Sequence, residues 1–411
     1  MSAAAITARI LRHANAYFSA IESASLEGRF AREDGTQVSP IYPTMLLICE
    51  TPTHFVAEFL GASPKFDEIR AVHRSLPSLA VALGQFPTSH SVHSLMYGGR
   101  STGCGLSHLA LLSERGHETF RARYREFPDL HQTSLLYGGS LLPDEAFHPL
   151  GFTDELQDFW LSDVMMVAEW HGFVRARYFQ AGFILHRSMS SSQLQRHLAA
   201  RYPVGTDTTL LTPSTDDNRT LLIRAANFAS LAVTDKVGET TITKFLESNS
   251  SMLTIALGVS RIIPQPSLKW IEGNPDPEER AIQPDFLLID DKGDAHLCEV
   301  KLPLLSRNDL TTGKHKRRRF VTPVVEGIAQ LANYREYLSF DSHRQLLAKE
   351  YGVSVRDPRS ILIVGSAENY DGEIARQAQR MLTPFELIDY DTLRVMYLAG
   401  SGYVPGVQGV S

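Results

Sequence analysis

The chain has 411 residues and a formal net charge of −6, with 43% hydrophobic and 21% charged residues. This length allows two or three domains, and the composition is that of an ordinary globular protein. The acidic balance excludes general attraction to polyanions, so any nucleic-acid contact must come from a local basic patch. The 3 cysteines are too few for a disulfide framework or a zinc site. Because we find no membrane-spanning apolar run and no secretory signal, we expect a cytoplasmic protein without a membrane partner.

The first half of the chain mixes helical and strand-like patterns. We predict helices over residues 5–23 and 106–126 and strands over residues 42–49 and 172–184. A polar, turn-rich stretch around residue 213 gives the best boundary signal. We therefore predict a mixed α+β domain over residues 1–212 and a second domain over residues 213–411, with its core at 235–398.

The second half alternates between predicted helices and strands. A helix is predicted from residue 239, where apolar residues have helical spacing, and another over 323–338 with Thr322 as its N-cap. Strands are predicted over 268–271 and 361–364, and a helix over 371–382 and a strand over 385–388 close the domain. This order predicts an α/β fold with a mixed sheet flanked by helices.

A β-hairpin is predicted over residues 284–301. Two apolar runs flank a polar turn around Lys292, and their equal length sets Asp285 opposite Glu299. Opposed residues lie about 5 Å apart, close enough for two carboxylates to share a divalent cation. Since strand side chains alternate, Lys301 shares a face with Glu299. Two acids and an ammonium on one patch suit metal-dependent phosphodiester cleavage, although a solvated sheet edge could carry the same residues.

The helix that begins near residue 239 carries two acids of interest. Glu239 lies three residues before Ile242 and therefore close to the apolar stripe of the helix. It is either solvated at the edge of the stripe or directed at a polar group inside, such as a metal ion. Glu247 is the competing acid on the same helix.

The helix after the hairpin carries Gln330 and Tyr334 on one face, since they are four residues apart. This pair could place an amide and a phenol beside a phosphate, or it could be a partly buried tyrosine with an incidental glutamine.

A basic segment at residues 314–319 lies between the hairpin and this helix. Its cationic residues are Lys314, Lys316, Arg317, Arg318 and Arg319. Phosphate contacts from such a loop would make nucleic-acid binding salt-sensitive, whereas a solvated loop could carry the same charge.

The order and spacing of these motifs resemble the PD-(D/E)xK nuclease superfamily, and within it the Shedu family of bacterial anti-phage defence proteins. The resemblance covers roughly residues 235–398. It is carried by Phe-Leu-Glu-Ser-Asn at 245–249, Pro-Asp-Phe-Leu-Leu at 284–288, Glu-Val-Lys-Leu-Pro at 299–303, Gln-Leu-Ala-Asn-Tyr at 330–334 and Ile-Asp-Tyr-Asp-Thr-Leu at 388–393. Ser250 stands where the family pattern has a proline.

The resemblance implies a restriction-endonuclease-like C-terminal sheet and a metal-dependent endonuclease that cleaves DNA rather than RNA. Mg²⁺ or Mn²⁺ would be bound by Asp285, Glu299, the backbone carbonyl of Val300 and Glu239, directly or through water. Lys301 would orient or deprotonate the attacking water and offset the charge of the scissile phosphate.

In the same resemblance, Gln330 would position the phosphate or the lysine, together with Tyr334, and the basic segment would hold the nucleic-acid backbone. It also implies a homo-oligomer, such as a tetramer, and a variable regulatory or sensor region over residues 1–212. Autoinhibition by that region is a further hypothesis. Two alternatives stay open, since biological role lies outside such motifs: a non-catalytic nucleic-acid-binding scaffold, and a restriction or repair nuclease unrelated to defence.

Overall fold

A computed structural model describes residues 1–29, 40–84, 94–98, 158–170, 173–202, 204, 216–274, 276, 278, 280–314, 317–370, 372–380, 382 and 384–401. The predicted helix over 106–126 and the predicted boundary at residue 213 lie outside these residues. In the described ranges, no helix is long and apolar enough to cross a membrane.

The N-terminal elements form a mixed sheet with helices beside it. They are α1 (Ala3–Leu26), β1 (Met45–Glu50), β2 (His54–Leu60), β3 (Arg70–Ser75), α2 (Leu79–Ala82), β4 (Ser94–Gly98), β5 (Asp158–Trp170), β6 (Phe173–His186) and α3 (Ser191–Arg201). Among the described strands, the sheet order is β3-β1-β2-β6-β5-β4, with β1 and β3 parallel and the other pairs antiparallel. The predictions of α1, β1 and β6 are confirmed, with shifts at their ends.

Strand periodicity sends the apolar residues of β1 to two different cores. Leu46 and Ile48 pack with the apolar stripe of α1, which includes Ile10 and Tyr17. The alternate residues, such as Leu47, pack on the other face of the sheet with residues of α2. Both faces of the sheet are therefore covered.

The C-terminal elements form a second mixed sheet. They are α4 (Asp216–Val233), α5 (Glu239–Ser248), α6 (Ser251–Leu257), β7 (Arg261–Pro264), β8 (Leu268–Lys269), β9 (Ala281–Ile282), β10 (Phe286–Ile289), β11 (Ala295–Val300), β12 (Thr311–Thr312), β13 (Arg319–Phe320), α7 (Thr322–Ser339), α8 (Asp341–Tyr351), β14 (Ser360–Ile363), α9 (Gly372–Gln379), β15 (Glu386–Ile388) and α10 (Tyr390–Gly400). The order in the described sheet is β15-β14-β11-β10-β7. It is antiparallel from β7 to β11 and parallel from β11 to β15.

Helices cover both faces of this sheet. Phe286 and Val300 point to the core formed with α4, α5, α6 and α10, whereas Leu287 and Leu297 point to the core formed with α7, α8 and α9. The predicted α/β class, a mixed sheet flanked by helices, is confirmed.

Several predicted elements need correction. Residues 268–271 contribute only the short strand β8, which pairs with β9 outside the main sheet. The N-cap of α7 is Val321 and not Thr322, because the Val321 carbonyl accepts the first helical hydrogen bonds. The helices α8 and α10 and the strand β7 were not predicted. In α10, Leu393 to Ala399 are all buried, so the sequence lacks the polar face that reveals a surface helix.

A buried group of charges connects the two sheets. This junction cluster consists of Glu58 on β2, Arg177 on β6, Glu368 after β14 and Arg394 on α10. Arg177 Nη2 lies 2.9 Å from Glu58 Oε2, and Arg177 Nη1 lies 3.9 Å from Glu368 Oε1. Arg394 Nη1 lies 3.7 Å from Glu58 Oε1 and donates to the Tyr178 carbonyl at 3.0 Å. The N-terminal sheet therefore packs against the helix that ends the described C-terminal region.

Candidate active site

The turn of the β10–β11 hairpin sets the register of the site. Asp290 Oδ1 accepts hydrogen bonds from the amides of Lys292 and Asp294, and Gly293 has a φ of 79°, which favours glycine. The register pairs Phe286 with Cys298. One step further along, Asp285 lies opposite Glu299, as predicted.

Asp285 is fixed at the entrance of β10 by contacts on both sides. Its Oδ2 atom accepts a hydrogen bond of 2.8 Å from the Val300 amide on the partner strand. Its backbone carbonyl accepts a hydrogen bond of 2.9 Å from the Gln265 amide. The carboxylate is therefore held across the hairpin beside Glu299.

Lys301 connects the two other acids of the site. Its Nζ atom donates to Glu299 Oε1 at 2.9 Å, and Glu239 Oε2 lies 3.4 Å from the same ammonium. The side chains of Glu299 and Lys301 are 5% and 10% exposed, whereas that of Glu239 is 43% exposed. The predicted shared face of Glu299 and Lys301 is confirmed. We call Glu239, Asp285, Glu299 and Lys301 the hairpin site.

Burial and like charge work against full ionisation of the two hairpin carboxylates. Burial, followed by the nearby Asp285 carboxylate, raises the pKa of Glu299 to about 7. Burial also raises the pKa of Asp285, although the Val300 amide and the Lys301 ammonium oppose this shift. Burial disfavours the charged form of Lys301, but Glu299 outweighs it, so the pKa of the lysine is raised. When both hairpin carboxylates are ionised, the single lysine ammonium does not balance their charge.

The structure distinguishes between the two acids of α5. Glu239 is the first residue of the helix and reaches Lys301, 62 residues further along the chain. Glu247 is exposed near the other end of the helix. Of these two glutamates, Glu239 is the one that contacts the hairpin site.

A close helix contact, which the sequence did not reveal, shapes the space around Lys301. A Cβ atom at Gly327 of α7 would lie 2.7 Å from Leu362 Cδ1 and 3.3 Å from Lys301 Cγ. The glycine therefore lets α7 approach the end of β11. The available sequence signal was a glycine inside a predicted helix, where it is otherwise unfavourable.

Gln330 and Tyr334 occupy different environments. Tyr334 is 5% exposed, and its hydroxyl donates to the Gln283 carbonyl at 3.3 Å, two residues before Asp285. The Gln330 side chain is exposed and makes no hydrogen bond to any residue in the described ranges. Tyr334 therefore supports the strand that leads to Asp285, while Gln330 faces solvent.

The basic segment connects β12 to β13. Lys314, Arg317 and Arg319 are exposed, and Arg318 Nη1 lies 3.9 Å from Asp309 Oδ2. Lys316 lies outside the described residues. The segment presents exposed cations on a short hairpin whose Phe320 is buried in the core beneath α7.

The donor set of the hairpin site suits a hard cation. Asp285 and Glu299 supply carboxylate oxygens, and the buried Glu299 Oε2 atom has no hydrogen-bond partner among the described residues. Divalent cations such as Mg²⁺ prefer oxygen ligands, so these residues fit one. Across the described ranges, no group of three or more His, Cys, Asp or Glu side chains is arranged to hold a metal ion. At the hairpin site, the third acid contacts the Lys301 ammonium instead.

The fold and the site define an α/β protein whose central hairpin gathers acids and a lysine at one end of a mixed sheet. Residues 236–393 match the family model described as Shedu protein SduA, C-terminal. The resemblance predicted from the motifs therefore agrees with a family-model match over residues 236–393. A search of curated proteins found no match to the chain.

Proposed function

We propose that this protein is a metal-dependent endonuclease that hydrolyses DNA phosphodiester bonds as a regulated effector of anti-phage defence. One observation carries the proposal. A buried Glu299 oxygen has no hydrogen-bond partner among the described residues and lies on a hairpin beside Asp285, and the lysine two residues further along the chain contacts the same glutamate. Uncompensated carboxylates next to an ammonium suit a centre that takes a cation and a phosphate. The arrangement also supports assignment to the PD-(D/E)xK superfamily.

In this proposal, Asp285, Glu299 and the Val300 carbonyl would hold Mg²⁺ or Mn²⁺. The bound cation would polarise a phosphoryl oxygen and favour ionisation of a bound water. The Val300 amide keeps the Asp285 carboxylate in place through its 2.8 Å hydrogen bond. Glu239 is the most exposed acid of the site, so it can exchange its contact with Lys301 for one to the cation or its water.

In the same proposal, Lys301 contacts the scissile phosphate. Its ammonium can donate hydrogen bonds to the attacking water and to a phosphate oxygen, which offsets the charge that develops in the transition state. The contact with Glu299 orients the ammonium beside the proposed cation site. The basic segment would bind the DNA backbone through its exposed Lys314, Arg317 and Arg319.

The direct test compares cleavage of supercoiled and linear DNA by the full chain and its variants in titrations of Mg²⁺ and Mn²⁺. We expect Glu299→Gln to abolish cleavage and Lys301→Met to lower its rate by about 10²–10⁴-fold, the usual contribution of proton-handling groups. Glu247→Gln is the matched control, since it removes an exposed acid of α5, and it should cut like the wild type. Equal cutting by all the proteins would refute the assignment of the site.

The same proteins also test the alternative of a non-catalytic DNA-binding scaffold. Binding of a labelled DNA duplex is measured between about 0.05 and 0.2 M salt, a range over which contacts to phosphates weaken strongly. Under the nuclease proposal, Glu299→Gln binds DNA with the salt dependence of the wild type but does not cut it. Salt-sensitive binding without cleavage by the wild type, with either metal, would favour the scaffold. Cleavage at one preferred sequence would favour a restriction or repair nuclease.

A further inference from the structure

The segment that follows β11 begins at the catalytic candidate Lys301. Hydrogen bonds to its backbone carbonyls hold it in place. The Lys301 carbonyl accepts a hydrogen bond of 2.8 Å from the Tyr390 hydroxyl. The Leu302 carbonyl accepts one of 3.4 Å from the Gly365 amide. Asn369 Nδ2 donates to the carbonyls of Pro303 and Leu304, at 2.8 and 3.0 Å. Every carbonyl of residues 301–304 therefore has a donor, and we call these contacts the exit clamp.

The exit segment needs such donors because it has left the sheet. The strand β11 ends at Val300, so the carbonyls that follow lie beyond its regular pairing, and Leu304 has a positive φ of 54°. Lys301 and Pro303 are buried, and an unpaired carbonyl in such a place is unfavourable. Lys301 is the first residue of this segment. The location of its Cα atom therefore depends on the exit clamp as well as on the sheet.

Tyr390 is placed to act on the backbone and not on a substrate. It is 2% exposed and is the first residue of α10. Its ring stacks on Phe228 of α4 at 5.3 Å, and Phe228 stacks on Phe245 of α5 at 5.9 Å. Since α5 also carries Glu239, one stack of aromatic rings links the support of Lys301 to the helix of its acidic partner.

Asn369 uses both ends of its amide in the clamp. It is 3% exposed, and its Oδ1 atom accepts a hydrogen bond of 2.9 Å from the Ser366 amide. Its Nδ2 atom serves the two carbonyls of the exit segment. Only an amide side chain meets both demands, because an aspartate in its place would set a carboxylate against two carbonyl oxygens.

We propose that Tyr390 and Asn369 are positioning residues of the hairpin site, which hold the main chain of residues 301–304 so that the Lys301 ammonium stays beside Glu299. The inference rests on the proposed nuclease function for its catalytic consequence, but its structural content is independent of cleavage. Neither residue is a catalytic group, because both are buried and contact the backbone of the lysine segment.

The test measures amide hydrogen exchange by mass spectrometry together with cleavage kinetics, on the full chain. The variants are Tyr390→Phe, which keeps the stacked ring and removes the hydroxyl, and Asn369→Asp, which keeps the acceptor and removes the donor. Tyr397→Phe is the control, since Tyr397 is 1% exposed on the same helix. We expect peptides covering residues 301–310 to exchange about 5-fold faster in both variants, as for the loss of one hydrogen bond, and unchanged in the control.

Cleavage provides a second readout that general loosening would not reproduce. We expect kcat to fall by about 10–100-fold in both variants, while KM for DNA stays within about 2-fold, because misplacement of a catalytic group affects the reacting geometry and not DNA binding. Unchanged exchange in both variants, equal acceleration in the control, or faster exchange with an unchanged kcat would overturn the proposal. A wild type that cuts no DNA, combined with faster exchange in the variants, would refute the nuclease function and leave the clamp standing.

Discussion

The molecule contains two groups of buried charged side chains. Both combine carboxylates with basic residues, but they differ in the balance of positive and negative charge. In the junction cluster, each carboxylate that pairs does so with a guanidinium: Glu58 faces both Arg177 and Arg394, and Glu368 faces Arg177. In the hairpin site, three carboxylates share one lysine, and burial with like charge raises the pKa of Glu299 to about 7. Charge is matched in the first group and left in excess in the second.

The two groups also differ in their access to solvent. The junction cluster borders a cavity of about 20 Å³, which has room for about one water molecule and not for a nucleotide. In the hairpin site, Glu239 is 43% exposed, which gives the charged group an opening to solvent. Buried charge alone therefore does not identify a functional site. A buried carboxylate oxygen without a hydrogen-bond partner among the described residues occurs in both groups, at Glu58 and at Glu299. The hairpin site is distinguished by an excess of acidic groups together with an opening to solvent.

The largest loss of stability is expected when a guanidinium is removed from the junction cluster. Arg177→Met removes the guanidinium that faces Glu368 and leaves Glu58 with only its 3.7 Å contact to Arg394, so we expect the free energy of unfolding to fall by about 3–5 kcal/mol. Arg187→Met is the matched control: Arg187 follows the same strand and also pairs with a glutamate, Glu50, but both side chains are more than a third exposed. Its effect should be about 0–1 kcal/mol.

Urea denaturation of both variants measures the difference. Similar losses of stability for Arg177→Met and Arg187→Met would show that the junction cluster is no more than a set of ordinary surface pairs.

A smaller effect is expected from filling the space between α7 and the hairpin site. Gly327→Ala forces Leu362 and Lys301 to move, and overpacking costs about 1–3 kcal/mol. Replacing a helical glycine returns about 1 kcal/mol, so the net loss of stability should be up to about 2 kcal/mol. Because Lys301 is displaced, the cleavage rate should fall more than the loss of stability alone explains.

Thermal unfolding and cleavage rates are measured for Gly327→Ala and for the control Ala329→Leu. The control adds bulk to the exposed face of α7 and should change neither quantity. Full activity in Gly327→Ala would mean that the position of Lys301 is not critical.

The smallest effect on stability is expected at the opening of the hairpin site. Glu239→Gln removes a half-exposed acid, so the free energy of unfolding should change by less than about 0.5 kcal/mol. If Glu239 binds the cation directly or through water, the Mg²⁺ concentration that gives half-maximal cleavage should be about 10–100-fold higher for the variant than for the wild type. Titrations of Mg²⁺ are run beside Glu247→Gln, which changes the other acid of α5. Equal responses of the two variants would leave Glu239 without a special role.

The local sequence was sufficient to predict the hairpin and its register. The residues of the turn, including Gly293 with its positive φ, fix the strand register, and the register places Asp285 opposite Glu299 without help from any distant part of the chain. Strand alternation then sets Lys301 beside Glu299. The mixed α/β sheet was also predictable, because its elements alternate along the chain with clear periodicity.

Contacts between distant segments were not predictable in the same way. Helical periodicity placed Glu239 and Glu247 on one helix, but only the packing of α5 against the sheet brings Glu239 to Lys301. The helix α10 was missed because it is buried on nearly all sides, and with it the contact of Tyr390 with the Lys301 carbonyl. The roles of Gln330 and the basic segment stay predictions.

By itself, the sequence determined the hairpin, its pair of opposed acids, the neighbouring lysine and the match of residues 236–393 to a family model. These features depend on short-range geometry, in which turn conformation and strand alternation leave little freedom. The tertiary structure decided which glutamate of α5 reaches the lysine, how closely α7 approaches it and which side chains hold the segment behind it. Those contacts join residues that are tens of positions apart, and their distances are set by the packing of whole helices on the sheet.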